Sequence, residues 1–119
     1  MRAKSGVARR RAKNRLFKAT KGYVGGRRRL LKSAKETLLR AGVFAFRDRR
    51  AKKRAFRRLW ITRLSAAAEM RGMRYSQLVN GLKKANISLD RKSLSELAIH
   101  DPAVFDQILG HARAALGAA

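Results

Sequence analysis

Residues 43–70 read VFAFRDRRAKKRAFRRLWITRLSAAAEM, a pattern that joins a cationic helix to an apolar one. The stretch holds neither glycine nor proline, and the strong helix formers Ala, Leu, Arg and Lys dominate it. Phe56, Trp60, Leu64 and Ala67 recur at i, i+4, i+8 and i+11, with Leu59, Ala66 and Met70 beside them, the spacing of one packed helix face. Ahead of Phe56 the same stretch is crowded with cations. One helix is therefore expected to begin as an exposed arm and to end inside a core, with Phe56 and Trp60 assigned to that core.

No proline occurs between Arg27 and Pro102, so the helix is expected to cover 27–71. A bend near Gly42 and a C-cap at Gly72 are expected with it. Leu30, Ala34 and Leu38 mark only a thin apolar stripe along its start. Before it, Gly22-Tyr23-Val24-Gly25-Gly26 interrupts helix formation and reads as a hinge over 21–26. Residues 8–20 read as a short helix that is mobile when free and orders on binding. Beyond Gly72, three short helices are expected. Ser76 caps the first, with Leu78, Val79, Leu82 and Ala85 inward and a stop near Asn86. Asp90 caps the second, which carries Leu94, Leu97 and Ala98. Asp101-Pro102 starts the third, marked by Val104, Phe105, Ile108, Leu109, Ala112 and Leu116. No segment alternates with period two. The fold class is all-α: a long basic N-terminal helical arm, 1–58, followed by a small α-helical globular domain, 59–119.

Charge separates the same two halves. Of the net +24, a net +21 falls on residues 1–60, whose acids are Glu36 and Asp48 alone. A compact body with that charge would repel itself, so the first half is read as built to meet a polyanion. Glu36 and Asp48 are expected to form local ion pairs that orient arginines. The clusters Arg9-Arg10-Arg11, Arg27-Arg28-Arg29 and Arg47 to Arg58 set like charges at i, i+3 and i+4, where a solvated helix face would alternate signs. Successive helical residues lie about 100° apart, so such triplets point around the helix. That favours burial among segments of folded RNA over lying along one duplex. Arginine also outnumbers lysine, which suits bidentate phosphate contacts and stacking on bases.

The expected phosphate contacts are Arg9, Arg10, Arg11, Lys13, Arg15, Lys21, Arg27, Arg28, Arg29, Arg47, Arg49, Arg50, Lys53, Arg54, Arg57 and Arg58. Tyr23, with glycine neighbours that admit a close backbone approach, is expected to stack on an unpaired base. Phe17, Phe44 and Phe46 sit among the cations and suit either stacking or packing. Lys83, Lys84, Arg91 and Lys92 are expected to add a weaker contact from the globular domain.

Other chemistry finds little support. There is no cysteine, so no disulfide or thiolate metal site can form, and a reducing cytosol fits. A helix break at Asp101-Pro102 separates His100 from His111. Asp101 and Asp106 are read as a cap and a first-turn acid favoured by the helix dipole. No catalytic residue, metal, cofactor or small-molecule substrate is expected. Gly22–Gly26 lacks the spacing and the Lys-Ser/Thr of a phosphate loop. No apolar run approaches the ~20 residues that span a bilayer. Residues 1–11 lack the apolar middle of a signal peptide. In 1–55 the bulky apolar residues are too scattered for a membrane-surface helix. A DNA-architectural protein is the alternative to an RNA binder.

Three stretches are shared with a known family: Ala19-Thr20-Lys21-Gly22-Tyr23, Ala41-Gly42 through Phe46-Arg47-Asp48-Arg49-Arg50, and Lys53-Arg54-Ala55-Phe56-Arg57-Arg58-Leu59-Trp60-Ile61-Thr62-Arg63. Tyr75-Ser76, Asn80-Gly81-Leu82-Lys83-Lys84-Ala85 and Leu89-Asp90-Arg91-Lys92 follow in order. On these residues the chain resembles, along essentially its whole length, the bacterial large-subunit ribosomal protein L-twenty family. It departs at Val24 and Gly26 and in its opening Arg2-Ala3-Lys4-Ser5-Gly6, one base short of many relatives. The resemblance implies a basic helix threaded into large-subunit ribosomal RNA and a helical domain on the RNA surface. It also implies an early role in subunit assembly, neighbouring ribosomal proteins as partners, a cytoplasmic ribosomal location and, for some members, repression of their own operon.

Overall fold

A computed structural model describes residues 4–117. Arg2 and Ala3, part of the opening noted above, and residues 118–119 of the expected globular domain lie outside the described residues. All regular structure among the described residues is helical: α1 (Gly6–Ala19), α2 (Gly26–Arg29), α3 (Leu31–Glu69), α4 (Tyr75–Lys84), α5 (Arg91–His100) and α6 (Pro102–Gly117). The chain divides into two compact units, Met1–Arg50 and Ala51–Ala119, the division falling inside α3.

In the first unit, α1 ends where the Thr20 N–H donates to the Leu16 carbonyl at 3.0 Å. The Thr20 hydroxyl donates to the same oxygen at 3.2 Å. A turn follows, closed by the Tyr23 N–H on the Thr20 carbonyl at 3.1 Å. Gly22 takes φ +88° in it, which side-chain-bearing residues rarely adopt. The expected single helix over 27–71 is broken at Leu30, which is extended at φ −94°, ψ 125°. Leu30 joins the two helices, its N–H closing α2 on the Gly26 carbonyl at 2.7 Å and its carbonyl accepting from the Ala34 N–H at 2.8 Å. Gly42 lies within α3, which runs through it without interruption. Among the unit's described residues only Thr20 and Ala34 are buried.

The second unit has a true core. Leu64, Ala68, Met73, Leu78, Leu82, Leu94, Phe105, Leu109 and Ala112 form one buried cluster, flanked by Ala67, Tyr75, Ile87, Ala98, Ile108 and Leu116. Each fully buried Leu or Phe contributes about 1.5–3 kcal/mol. Both α4 and α5 pack on α6. Gly81 sits where α4 crosses α6: a Cβ there would stand 2.5 Å from the Ala112 carbonyl oxygen.

The ends of these helices follow their residues. After α3 the Met73 N–H donates to Ala68 and the Gly72 N–H to Glu69, at 3.0 and 2.9 Å. With Gly72 at φ +72°, this is a Schellman motif with the expected glycine at its left-handed position. Asn86, at φ 53°, closes α4 the same way, with Ile87 donating to Leu82 and Asn86 to Lys83. Ser76 does not cap α4. The N-cap lies two residues earlier, at Arg74, whose N–H donates to the Gln77 side chain at 3.0 Å. Asp90 and Asp101 do cap, accepting from the Ser93 and Val104 amides at 2.7 and 3.3 Å.

The apolar stripe of α3 enters the core later than its spacing suggests. Leu64 is 1 % exposed, whereas Phe56 is 42 % and Met70 85 % exposed. Trp60 is half-buried outside the core cluster, its ring 6.0 Å from that of Phe56. The assignment of Phe56 and Trp60 to the core is thus corrected: the buried cluster begins one turn further on, at Leu64. Val104 is likewise exposed on α6.

Candidate nucleic-acid interface

The cations ride on helices whose residues are chosen for helix formation and leave the charge outside. Arg9, Arg10, Arg11, Lys13 and Arg15 are exposed along α1, and Lys21 is exposed in the turn after it. Arg27, Arg28 and Arg29 make up most of α2, all exposed. On α3, Arg47, Arg49 and Arg50 are exposed in the first unit, and Lys53, Arg54, Arg57 and Arg58 in the second.

Several of these guanidiniums already lie against aromatic rings. The Arg47 and Arg40 Cζ atoms stand 4.7 and 5.5 Å from the Phe44 ring centre. Those of Arg50 and Arg49 stand 4.0 and 5.8 Å from the Phe46 ring. The Lys52 ammonium lies 5.8 Å from the Phe56 ring. These contacts, worth about 0.5–1 kcal/mol each at exposed sites, hold arginine planes beside exposed ring faces. Arg40 and Lys52 were missed as candidates. The i, i+4 spacing from each to its phenylalanine was the readable signal.

Of the two arm acids, Asp48 accepts from the neighbouring Arg47 Nε at 2.9 Å. Glu36 makes no such pair: among the described residues no cation comes within 4.0 Å of it. It lines a groove instead, together with Tyr23, Arg27, Ser33, Thr37, Arg40 and Phe44. Tyr23 is half-buried there. Counted from Ser33, Glu36, Thr37, Arg40 and Phe44 sit at i+3, i+4, i+7 and i+11 of α3, a face that charge counting overlooked.

In the second unit Lys83 and Lys84 are exposed in the last turn of α4, where the helix dipole favours cations, so folding alone accounts for them. Arg91 and Lys92 occupy the first turn of α5, where the dipole disfavours cations. Lys92 is exposed. Arg91 is half-buried and its Nε donates to the Tyr75 hydroxyl at 2.9 Å. Asp90 sits immediately before them, and the Ser93 amide hydrogen bond, then the Ser93 side chain and Lys92, hold its carboxyl below the usual carboxylate range.

Asp106 is not a first-turn acid. It is the fifth residue of α6 and pairs with Arg71, whose guanidinium lies 5.2 Å from the Phe105 ring centre. The Arg71 carbonyl in turn accepts from Arg113. His100 lies 3.3 Å from Glu96, one turn away on α5. Among the described residues no three His, Asp or Glu side chains gather closely enough to hold a metal ion, and no helix is long and apolar enough to cross a membrane. What the arrangement offers chemically is fixed positive charge, stacking faces and the Glu36-lined groove.

Comparison with known proteins points the same way. A family model described as Ribosomal protein L20 matches residues 2–108. The chain is 57% identical over 118 residues to the large ribosomal subunit protein bL20 of Rhodopirellula baltica, covering 99% of this chain and 100% of that one. It is 50% identical to the protein of the same name from Cellvibrio japonicus, over 98% of both chains. The Staphylococcus carnosus protein of that name is 50% identical over 97% of this chain and 98% of its own. At that identity over nearly full length, the chain belongs to the ribosomal protein L20 family.

Proposed function

We propose that this chain is a structural, non-catalytic constituent of the large ribosomal subunit, residing in the ribosome of the bacterial cytoplasm. It binds large-subunit rRNA directly and promotes early assembly of that subunit. In this reading residues 1–58 are the RNA-binding arm and 59–119 the globular domain, with neighbouring subunit proteins as further partners. The relatives' shared name, large ribosomal subunit protein, supports the placement.

One observation carries the reading. The first unit bears most of the chain's charge, yet only Thr20 and Ala34 are buried among its described residues. Such a segment lacks the apolar burial to offset its own ordering and repulsion. Phosphates supply what it lacks. As they replace the counterions of Arg9–Arg11, Lys13, Arg15, Lys21, Arg27–Arg29, Arg47–Arg58 and their neighbours, the arm orders and draws together RNA segments that otherwise repel. Lys83, Lys84, Arg91 and Lys92 add a lesser contact from the globular domain.

The test is competition between structured large-subunit rRNA and equal-length duplex DNA for the full-length chain across a salt series. An rRNA complex that persists where DNA is released supports shape-specific RNA recognition. Equal affinities falling together would reduce the protein to a nonspecific polycation and favour the DNA-architectural alternative.

A further inference from the structure

The groove beside Tyr23 contains a residue that general phosphate binding does not explain. Glu36 is exposed among cations, and within the described residues no cation pairs with it. A carboxylate on a surface that meets phosphates opposes binding, unless it meets a donor of its own. The groove's other walls indicate which donor. Phe44 already has Arg47 and Arg40 over its ring, whereas no cation stacks on Tyr23 among the described residues. Tyr23 therefore offers a free ring in a half-buried setting, Glu36 an acceptor-only edge, and Arg27 and Arg40 the positive rim.

A single unstacked nucleobase fits that combination, and base chemistry selects which one. Two carboxylate oxygens need two adjacent donors. On the Watson–Crick edge, guanine presents N1–H and N2–H side by side. Adenine and cytosine each set one amino donor beside a ring-nitrogen acceptor, and uracil sets one N–H between two carbonyl oxygens. Only guanine avoids placing a lone pair against the carboxylate.

We propose that this groove is a guanine-selective site for one splayed-out base of the bound RNA, a proposal that rests on the RNA-binding function above. Glu36 accepts from guanine N1–H and N2–H, Tyr23 stacks on the base, and Arg27 and Arg40 hold the flanking phosphates. The base-reading element thus lies within a segment that otherwise carries only positional contacts.

The test uses the full-length chain and single-stranded RNA decamers, all uridine except for one central guanosine, inosine, adenosine or cytidine. Binding is followed by fluorescence anisotropy at one salt concentration, with structured large-subunit rRNA measured in parallel. The guanosine decamer is expected to bind about tenfold tighter than the adenosine and cytidine decamers, the scale of hydrogen bonds to a charged group. Inosine, which keeps N1–H but lacks the 2-amino group, is expected between them. Glu36→Gln brings the guanosine decamer down to the level of the adenosine and cytidine decamers, and circular dichroism stays unchanged because Glu36 is exposed. Equal binding of all four decamers, or a guanosine preference that survives Glu36→Gln, overturns the proposal while salt-dependent rRNA binding still supports the wider function. Failure of the decamers and the structured rRNA alike overturns both.

Discussion

Replacing Gly81 with alanine tests how the globular domain is held together. In an exposed helix the change would stabilise, since alanine exceeds glycine in helix propensity by about 0.8–1 kcal/mol. At Gly81 the new Cβ would stand 2.5, 2.9 and 2.9 Å from the oxygen, carbonyl carbon and Cβ of Ala112. Non-bonded carbon atoms rest at about 3.5–4.0 Å, so α4 and α6 would have to part by roughly 1 Å. Two of the three atoms are backbone, and no rotamer relieves them. Overpacking of this kind costs about 1–3 kcal/mol, with the upper end expected where a whole helix must move. After the propensity gain, the net loss is about 1–2 kcal/mol.

For a domain of this size that lowers Tm by roughly 5–15 °C. The assay is thermal unfolding of the full-length chain followed by circular dichroism at 222 nm. Gly110→Ala serves as the internal control. It lies within α6 with a helical φ and nothing within 4 Å of its would-be Cβ, so the same change there should raise Tm. Equal shifts at the two positions, or a raised Tm for Gly81→Ala, would refute the close crossing of α4 and α6.

Further outcomes follow from named contacts. Arg71→Ala removes the Asp106 pair, the Phe105 ring contact and a 3.0 Å hydrogen bond to the Ala67 carbonyl, and is expected to destabilise by about 1–2 kcal/mol in urea titration. Because Asp90 titrates below its unfolded-state value of about 3.9, its capping contribution is complete above that pH and is lost as pH falls through the lowered folded value. Asp90→Asn keeps a capping acceptor but should flatten this part of the acid limb of a Tm–pH curve, while Asp90→Ala should also lower Tm at neutral pH. Deleting 1–55 should leave a soluble, cooperatively unfolding domain with much weaker rRNA affinity, since the whole buried cluster lies between Leu64 and Ala112. An unfolded fragment would show that the domain depends on the arm.

The all-α class was legible because its signals are local: helix formers, caps and glycine stops act through their own backbone neighbours. Asp90, Asp101 and Gly72 do what their residue types dictate. The misreadings of Phe56, Trp60 and Asp106 arose where a partner remote in sequence decides. Phe56 and Trp60 have the right spacing for a core, but periodicity marks a face without saying how far along it the covering helices reach. Asp106 reads as a dipole acid until Arg71, 35 residues away in the chain, is seen against it. Ser76 is the conventional cap residue, yet a glutamine one position on moves the start of α4. Gly81 looks like a helix flaw in one dimension and is a point of close approach to Ala112 in three.

The candidate interface divides along the same line. Total charge needs no structure, so the cationic clusters were readable at once. How the helical arm holds those charges was not. Arginines at i±3 and i±4 from Phe44 and Phe46 are part-shielded by rings. That arrangement lowers the entropy lost when a guanidinium is later fixed on phosphate, because the planar group is already restrained. Removing a ring therefore differs from removing a charge. Phe46→Ala keeps every cation, so the slope of log affinity against log salt for rRNA should stay the same while affinity falls at all salt concentrations. Arg50→Ala, by contrast, should reduce that slope by about one phosphate contact. Identical slopes in the two variants would mean that Arg50 touches no phosphate. Identical affinities in Phe46→Ala and the unaltered chain would mean that the ring does nothing to prepare it.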